Sequence, residues 1–354
     1  MDTKPLTAPP VPADTVRYAM RFEGSTGEYF KIWIVNLALT IVTFGVFSAW
    51  AKVRSKRYFY GNTYIADQAF DYHASPWRIL LGRLIGVILL GGYSLTSAFA
   101  PRAVGFWALL FVIALPWLIK SSLRFSARNT SYRNLRFDFH GSYWGALKAF
   151  VLWQVLAVIT LFTTLPFAHR ARDYYNINNH SYGQTRFHAK IPVGGLYKIY
   201  LLALALVFGI LIIALMANSV LWVATGAAKT AFMTSVATTS ISIYVLAFLA
   251  LPPAIGALTF NLALGNTRLS DDILFESRLS APRMSWIVIS NLLATVVSLG
   301  LLYPWARIRM AHYRASCITV ISSTDIGEFT APLVKSGNAV GEEIASFFDI
   351  DFGI

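Results

Sequence analysis

The sequence predicts an α-helical membrane protein that passes several times through a bacterial cytoplasmic membrane, built as a pseudo-repeated helical bundle with re-entrant or interfacial helices and short strand-like cytoplasmic segments. Three observations predict it. Of 354 residues, 56% are hydrophobic and 15% aromatic, while only 13% are charged, against roughly 25% in soluble domains. The charges that remain are one-sided, 30 Lys and Arg against 17 Asp and Glu. And one stretch of sequence returns several times along the chain.

Uncharged runs cover residues 32–51, 84–100, 103–119, 149–167, 199–228, 230–267 and 284–306. About 20 apolar residues span roughly 30 Å of hydrocarbon, so each run reaches or nearly reaches the length of a crossing, and in lipid the backbone of each must be helical. The first thirty residues hold no apolar core of signal-peptide type. Insertion is expected to rely on the later runs.

The repeat begins at Trp50. WAKVRSKRYFYGNTYIADQAFDYHA returns 67 residues later as WLIKSSLRFSARNTSYRNLRFDFHG, so that Trp50, Arg57, Asn62, Thr63, Phe70 and His73 become Trp117, Arg124, Asn129, Thr130, Phe137 and His140. A third copy keeps Asn179 and Phe187, and FEGS at 22–25 returns as FHGS at 139–142. NLALTIVTFGVFSAWAKVRSKRY is echoed by NLLATVVSLGLLYPWARIRMAHY, matching Asn36, Thr40, Gly45, Trp50, Arg54 and Tyr58 to Asn291, Thr295, Gly300, Trp305, Arg309 and Tyr313. A weaker copy with Asn266 and Thr267 follows Pro252-Pro253. Each copy reads as an apolar helix, a Gly or Pro break, an interfacial aromatic, basic residues, an Asn turn and a short strand ending in Phe. The expected layout is an unstructured segment 1–20, a membrane domain 21–315 with units near 21–137, 138–275 and 276–315, and an acidic cytoplasmic tail 316–354.

Basic residues mark the cytoplasmic side: Lys52, Arg54, Lys56 and Arg57; Lys120, Arg124 and Arg128; Arg170 and Arg172; Arg307 and Arg309. Turns near Pro101 and Asn218 carry almost none and are expected outside. Runs 32–51, 149–167 and 284–306 then begin and end on the same side. Either these three are re-entrant hairpins, broken at Gly45, at Pro166 or Thr163-Thr164, and at Gly300, or the chain has seven ordinary crossings; both layouts are open at this point.

The 36–60 stretch, the WAKVR and YGNT strings and the closing VGEEIASFFDIDFGI resemble the YjgN-like family of uncharacterised bacterial inner-membrane proteins. The resemblance runs from about residue 22 to 354. It implies a multi-spanning inner-membrane protein and brings no activity or catalytic residue with it. The copy with Phe167 for the Trp and Tyr174 for the Arg departs most from the pattern, which implies a lost or altered role there.

No HExxH pair, phosphate loop, GxSxG elbow or paired-cysteine cluster is present, so neither an enzyme nor a cofactor is expected. The lone Cys317 excludes an internal disulfide. His73, His140 and His188 end strand-like stretches, yet no carboxylate recurs with all three, and no metal is expected. Two readings of the buried polar residues stay open. Asn36, Thr40, Gln154, Asn291 and Thr295 either line a polar pathway or bond helix to helix, and Asn36 with Thr40, like Asn291 with Thr295, share a helix face. Trp50, Trp117, Trp305, Tyr58 and Tyr313 read as interfacial anchors, and Arg54, Arg57, Arg124 and Arg309 beside them as contacts to anionic lipid headgroups. Arg83 is expected to reach toward the headgroups, and Gly82 with Gly86 to allow close helix packing. Partners are therefore membrane lipids and a homo-oligomer, not nucleic acid.

Function follows two lines: a transporter or channel component for a small solute, or a non-catalytic lipid-interacting or envelope scaffold. The chain after residue 319 sets six acidic residues against the single Lys335. That opposition predicts a tail docked on the basic loops, with a short helix over 341–348.

Overall fold

A computed structural model describes residues 15–226 and 228–323. A first strand, interrupted at Met20, forms β1 (Val16–Ala19) and β2 (Arg21–Phe22); one order of elements then recurs, an outer helix, an inner helix and two short strands. The first round is α1 (Thr26–Val42), α2 (Ser48–Gly61), β3 (Thr63–Ile65) and β4 (Gln68–Tyr72). The second is α3 (Pro76–Phe99), α4 (Val104–Arg128), β5 (Thr130–Tyr132) and β6 (Leu135–Phe139). In the third, the outer helix starts as α5 (Tyr143–Leu147), passes through a π turn at Lys148–Leu152 and continues as α6 (Trp153–Ile159). It is followed by α7 (Leu165–Asn178), β7 (His180–Tyr182) and a strand interrupted at Phe187, β8 (Thr185–Arg186) and β9 (His188–Ala189). The fourth is α8 (Val193–Thr225), α9 (Lys229–Gly265), β10 (Thr267–Arg268) and β11 (Ile273–Ser277). The fifth is α10 (Ala281–Val297), α11 (Tyr303–Ser316) and β12 (Ile318–Ser322), and the partner of β12 is β1 from the chain's start.

The strands form two antiparallel sheets, ordered β2-β3-β4-β5-β6-β7-β8 and β1-β12-β11-β10-β9. Because β1 and β2 are halves of one strand, as are β8 and β9, the sheets share both edges and close into a ring. Closure removes the free edges that invite wrong pairing. Tight turns set the hairpins: Ala66-Asp67 and Arg133-Asn134 take two successive positive φ angles, the geometry that matches strand twist.

The Asn of each repeated segment is the pivot of this layout. Asn62, Asn129, Asn179 and Asn266 end their inner helices, and each Nδ2 donates to the carbonyl four residues back at 2.7–2.8 Å, satisfying one of the carbonyls a helix end leaves open. Their own carbonyls accept the N–H that follows the preceding hairpin: Glu23 to Asn62, His73 to Asn129, His140 to Asn179 and Lys190 to Asn266, with Arg278 to Cys317 completing the circle, all at 2.8–3.0 Å. Cys317 is thus the fifth cap residue.

The helices follow the same circle. α1 packs between α11 and α2, α3 between α2 and α4, α5 and α6 against α4 and α7, α8 between α7 and α9, and α10 between α9 and α11. Tyr58, Tyr175 and Tyr313 fasten the start of an outer helix to the inner helix after it, through Ser25, Ser142 and Ser280 at 2.8–3.3 Å. Tyr58 and Tyr313, expected as interfacial anchors, thus spend their hydroxyls on backbone groups of the bundle.

Among the described residues, four helices are long and apolar enough to cross a membrane: α3, α4 with the 3-10 turn Pro101–Ala103 before it, α8 and α9. The turn near Pro101 stands where the sequence places it. The second turn does not: Asn218 lies inside α8, its Nδ2 bonded to Ala214 O at 2.8 Å, and the chain reverses at Gly226, φ +60°. The other three runs divide into paired shorter helices. Their turns share one bonding pattern, with Gly45 N to Thr40 O, Phe162 N to Ala157 O and Gly300 N to Thr295 O at 2.6–2.7 Å. Two residues in each have positive φ: Phe44-Gly45, Leu161-Phe162 and Leu299-Gly300. The middle turn falls before Thr163-Thr164 and Pro166, and Phe162 there occupies a conformation that costs a side-chain residue about 1–2 kcal/mol.

Twelve strands among the described residues make an all-α description too narrow. β1 also lies inside the segment expected to be unstructured, and β12 inside the expected tail, because the two are each other's partners. The remainder of that tail, including the helix expected at 341–348, lies outside the described residues.

One ion pair at the helix-to-ring junction makes a pH prediction. Burial raises the Asp138 carboxyl, but hydrogen bonds from Arg128 at 2.9 Å and from Phe139 N–H at 2.7 Å outweigh it and hold the group below its ordinary value. A depressed folded-state value gives stability that is present above the unfolded value and lost as pH falls through the folded one. Asp138→Asn is expected to lower stability by about 2 kcal/mol near neutral pH, with the difference from the parent shrinking below about pH 4; thermal melts of detergent-solubilised protein across that range check it.

Candidate functional site

The three short helix pairs hold most of the polar residues singled out in the sequence. Asn36 is buried, with Nδ2 3.5 Å from Ala51 O and Oδ1 accepting from Arg54 at 3.2 Å. Asn291 repeats the arrangement with Ala306 O at 3.0 Å and Arg309 at 3.0 Å, and Arg309 also reaches Ser290 Oγ at 2.7 Å. Thr40 and Thr295 return their hydroxyls to the carbonyls of Asn36 and Asn291. These residues clamp one leg of each pair to the other. In the middle pair Trp153 stands at the Asn position and stacks on Phe167 at 5.8 Å, with Gln154 half-buried beside it.

The turns themselves are bare. Phe44 is 98% exposed, Leu161 83% and Leu299 94%, so the tip of each pair offers apolar side chains with no protein around them. At the other end, Arg57 Nε donates to Tyr72 O at 3.2 Å, Arg124 is partly buried on α4, and the Arg309 guanidinium lies 5.1 Å over Trp305. Trp50 packs on Trp77 at 5.0 Å, and Trp117 is half-buried. Arg83 donates to Ser48 Oγ on the neighbouring helix, and Gly82 and Gly86 are buried where α3 packs.

A second feature was not singled out from the sequence: a half-open central chamber of about 1330 Å³, lined by residues of all five inner helices and of the strand ring. Its floor is built from two sets of side chains at equivalent places in the five hairpins. Ile65, Tyr132, Tyr182, Leu269 and Val320 form one, and Phe70, Phe137, Phe187, Phe275 and Met20 the other. Tyr132 and Tyr182 donate to the carbonyls of Ile65 and Tyr132 at 2.6 and 2.8 Å, and burial pushes the Tyr182 hydroxyl up to about 12. The ring interior is filled, not a bore.

The chamber wall is mostly apolar, with charged side chains at several heights. Lys52 and Lys56 come from α2, Arg172 from α7 and Arg314 from α11, with Asp173 the one carboxylate among the described lining residues. On α7, His169 Nδ1 lies 2.8 Å from the Tyr200 hydroxyl and Nε2 3.2 Å from Asp173, with Arg172 within 3.2 Å of His169. One turn on, Asn176 is 5% exposed and its Oδ1 has no partner. His169, Arg172, Asp173, Asn176 and His180 follow helical spacing, the one sequence signal that could have revealed this face. None of Asn36, Thr40, Gln154, Asn291 and Thr295 lines the chamber.

The three histidines that end strand-like stretches each take a different partner. His73 pairs with Ser131 at 2.7 Å and His140 with Ser181 at 3.1 Å, each across neighbouring strands, while His188 sits on β9 opposite Arg268. No group of three His, Cys, Asp or Glu gathers among the described residues.

A family model described as a bacterial protein of unknown function, DUF898, matches residues 17–347. The chain is 28% identical over 363 residues to the "Inner membrane protein YjgN" of Salmonella typhimurium strain LT2, covering 90% of this chain and 92% of that relative. It is 32% identical over 130 residues to the protein of the same name in Escherichia coli K12, there covering 36% of this chain and 33% of the relative. No solved structure matches.

Proposed function

This chain belongs to the DUF898 family and is a multi-pass protein of the bacterial inner membrane, and from that premise we propose that it is a non-catalytic protein acting on lipid of the cytoplasmic leaflet, not a conduit for a small solute. In this reading the five rounds are copies of one unit. Two copies, α3–α4 and α8–α9, cross the bilayer, and the other three are re-entrant hairpins that enter from the cytoplasmic side and turn back.

The observation that carries the reading is the trio of bare apolar turns. Legs of 14 and 17 residues are about 21–26 Å long, and the basic residues of each inner leg begin at its fifth or sixth position, with Lys52, Arg170 and Arg307. The tip therefore ends inside a hydrocarbon layer of roughly 30 Å. Water would be a poor solvent for Phe44, Leu161 and Leu299, whereas acyl chains suit them. Arg57, Arg170 and Arg307 then sit near anionic headgroups, each contributing about 1 kcal/mol. The filled ring and the clamped Asn residues favour this reading over a polar pathway.

The test uses single cysteines at positions 44, 161 and 299, with Cys317 replaced by Ser. These thiols are expected to resist a membrane-impermeant maleimide from either face, while one at 228 reacts from outside and one at 67 from inside. Reaction of any tip from the periplasmic face overturns the hairpins. In liposomes, a packing-sensitive probe in the hairpin-bearing leaflet is expected to respond while entrapped small solutes are retained; their release would restore the conduit reading.

A further inference from the structure

We propose that the protein is a wedge that selects membrane by shape, favouring a lipid surface convex on the side that bears the strand ring. The proposal rests on the lipid reading above and names the kind of lipid surface which that reading leaves open.

Helix lengths make the wedge. Beside the ring, each of the five rounds contributes an outer and an inner helical segment, ten in all among the described residues. Six of them span 14 or 17 residues each and end about 21–26 Å above the ring. The other four, α3, α4, α8 and α9, run for 24 to 37 residues, about 36–55 Å. For helices about 10 Å wide, ten occupy roughly 800 Å² of the membrane plane and four roughly 300 Å². The near leaflet thus parts for more than twice as much protein as the far one.

Charge fixes the depth of the step. Phe44, Leu161 and Leu299 stand eight or nine residues before Lys52, Arg170 and Arg307, the first Lys or Arg of each inner leg. Each tip therefore reaches at most about 12–14 Å past the charged level. One leaflet of hydrocarbon is about 15 Å deep, half of roughly 30 Å. The three tips stop within the near leaflet, while α3 runs on uncharged after Arg83 and α8 after Lys198.

The extra bulk is spread around the circle and stiff. The short pairs belong to the first, third and fifth rounds, and the crossings to the second and fourth. Asn36 and Asn291 bond one leg to the other through Ala51 and Ala306, and Trp153 stacks on Phe167 in the middle pair. Legs tied in this way do not close up to suit a flat bilayer, so the lipid has to yield. Bending the membrane convex toward the ring spreads the near leaflet and opens gaps between its headgroups. Apolar tips that are 83–98% exposed fill such gaps, which is how shallow apolar insertion becomes sensitive to curvature. A flat or oppositely curved surface has to be deformed first, at a cost in free energy.

Sorting between flat and tubular membrane tests this. Full-length protein with one fluorophore at position 67 (Asp67→Cys, Cys317→Ser) is reconstituted into giant vesicles, and an impermeant quencher outside shows which molecules carry the ring outward. Tubes are then drawn outward from vesicles of phosphatidylcholine alone and of phosphatidylcholine with phosphatidylglycerol. Ring-outward protein is expected to be enriched about threefold or more on the tube relative to the flat membrane, and ring-inward protein depleted. The two lipid compositions are expected to agree, because the effect comes from shape. Equal density on tube and flat membrane, enrichment in both orientations, or enrichment only with phosphatidylglycerol would each overturn the proposal. Phe44→Asn/Leu161→Asn/Leu299→Asn removes the apolar tips at sites where φ is +50°, a conformation asparagine tolerates. It is expected to lose most of the enrichment, and sorting like the parent's would overturn the wedge. If the triple variant does not fold, the two orientations of the parent decide. Tips that resist the maleimide in a protein that does not sort would leave the hairpins standing and remove the wedge alone, whereas tips that react from the periplasmic face remove both.

Discussion

Replacing Asn291 with leucine is expected to remove about 3 kcal/mol of stability, because two hydrogen bonds vanish and the former partners, Ala306 buried and Arg309 half-buried, stay between the helices. Ala306 O loses its only side-chain donor at this site, and the Arg309 guanidinium, 3.0 Å from Asn291 Oδ1, keeps Ser290 alone. Both groups sit between legs that are read as lying in lipid, where no water replaces what is lost. Asn36→Leu should follow the same course with a smaller effect, since its bonds to Ala51 O and Arg54 are longer. Gln154→Leu is expected to stay within about 0.5 kcal/mol of the parent, because Trp153 holds the equivalent place by stacking and Gln154 lies beside it. Asn291→Asp keeps an acceptor for Arg309 and loses the donor to Ala306 O, so it should fall between the two. Thermal melts in detergent rank the four. If Asn291→Leu melts with Gln154→Leu, the clamp contributes nothing and the hairpin is held by its apolar contacts alone.

Much of this fold was legible in the sequence, and for a stated reason in each case. The membrane spans follow from hydropathy. The Asn and Thr that recur at Asn62-Thr63, Asn129-Thr130 and Asn266-Thr267 mark helix ends because their side chains bond back to the last turn. Gly45 and Gly300 mark turns because their φ angles of +91° and +93° exclude side chains. The middle turn gave no such sign, since Leu161 and Phe162 adopt positive φ without glycine; what stabilises it is a pair of threonine hydroxyls, Thr160 and Thr164, 2.8 Å apart.

What stayed hidden is what only long-range contact decides. Tyr58 and Tyr313 carry the composition of interfacial anchors, and nothing local says that Ser25 and Ser280, 33 residues away, claim their hydroxyls. Asn218 looks like a turn residue and is an ordinary helical one, because its amide bonds within α8. The chamber escaped because its lining comes from five inner helices, each contributing a few residues that look unremarkable alone. In the sequence Lys56 and Arg172 serve only as marks of the cytoplasmic side, whereas in the fold both line the chamber.

The strongest case of long-range dependence is the closure of the strand ring, and it makes the second large prediction. β12 ends the described chain and finds its partner in β1 at the start, with Val16 opposite Ser322 and Tyr18 opposite Val320. Val320 is buried in the ring interior and Tyr18 packs against the same cluster, while Arg17 and Glu276 pair at 3.0 Å across the adjoining strand. A chain beginning after Ala19 loses this strand. It uncovers one edge of β12 and opens the cluster beneath the chamber, and an open apolar edge is an aggregation site. Such a chain is expected to accumulate poorly or to elute as aggregate in size-exclusion chromatography, whereas one beginning at Asp14 behaves as the parent. The pairing can also be trapped directly. Cα atoms directly opposite in an antiparallel pair lie about 4.5–5.5 Å apart, within reach of a disulfide. With Cys317 replaced by Ser, Tyr18→Cys/Val320→Cys is expected to crosslink on mild oxidation and to run faster on a non-reducing gel, and Val16→Cys/Val320→Cys to crosslink far less. Equal crosslinking in the two pairs, or normal accumulation of the chain that begins after Ala19, would show that the ring does not close through its first strand.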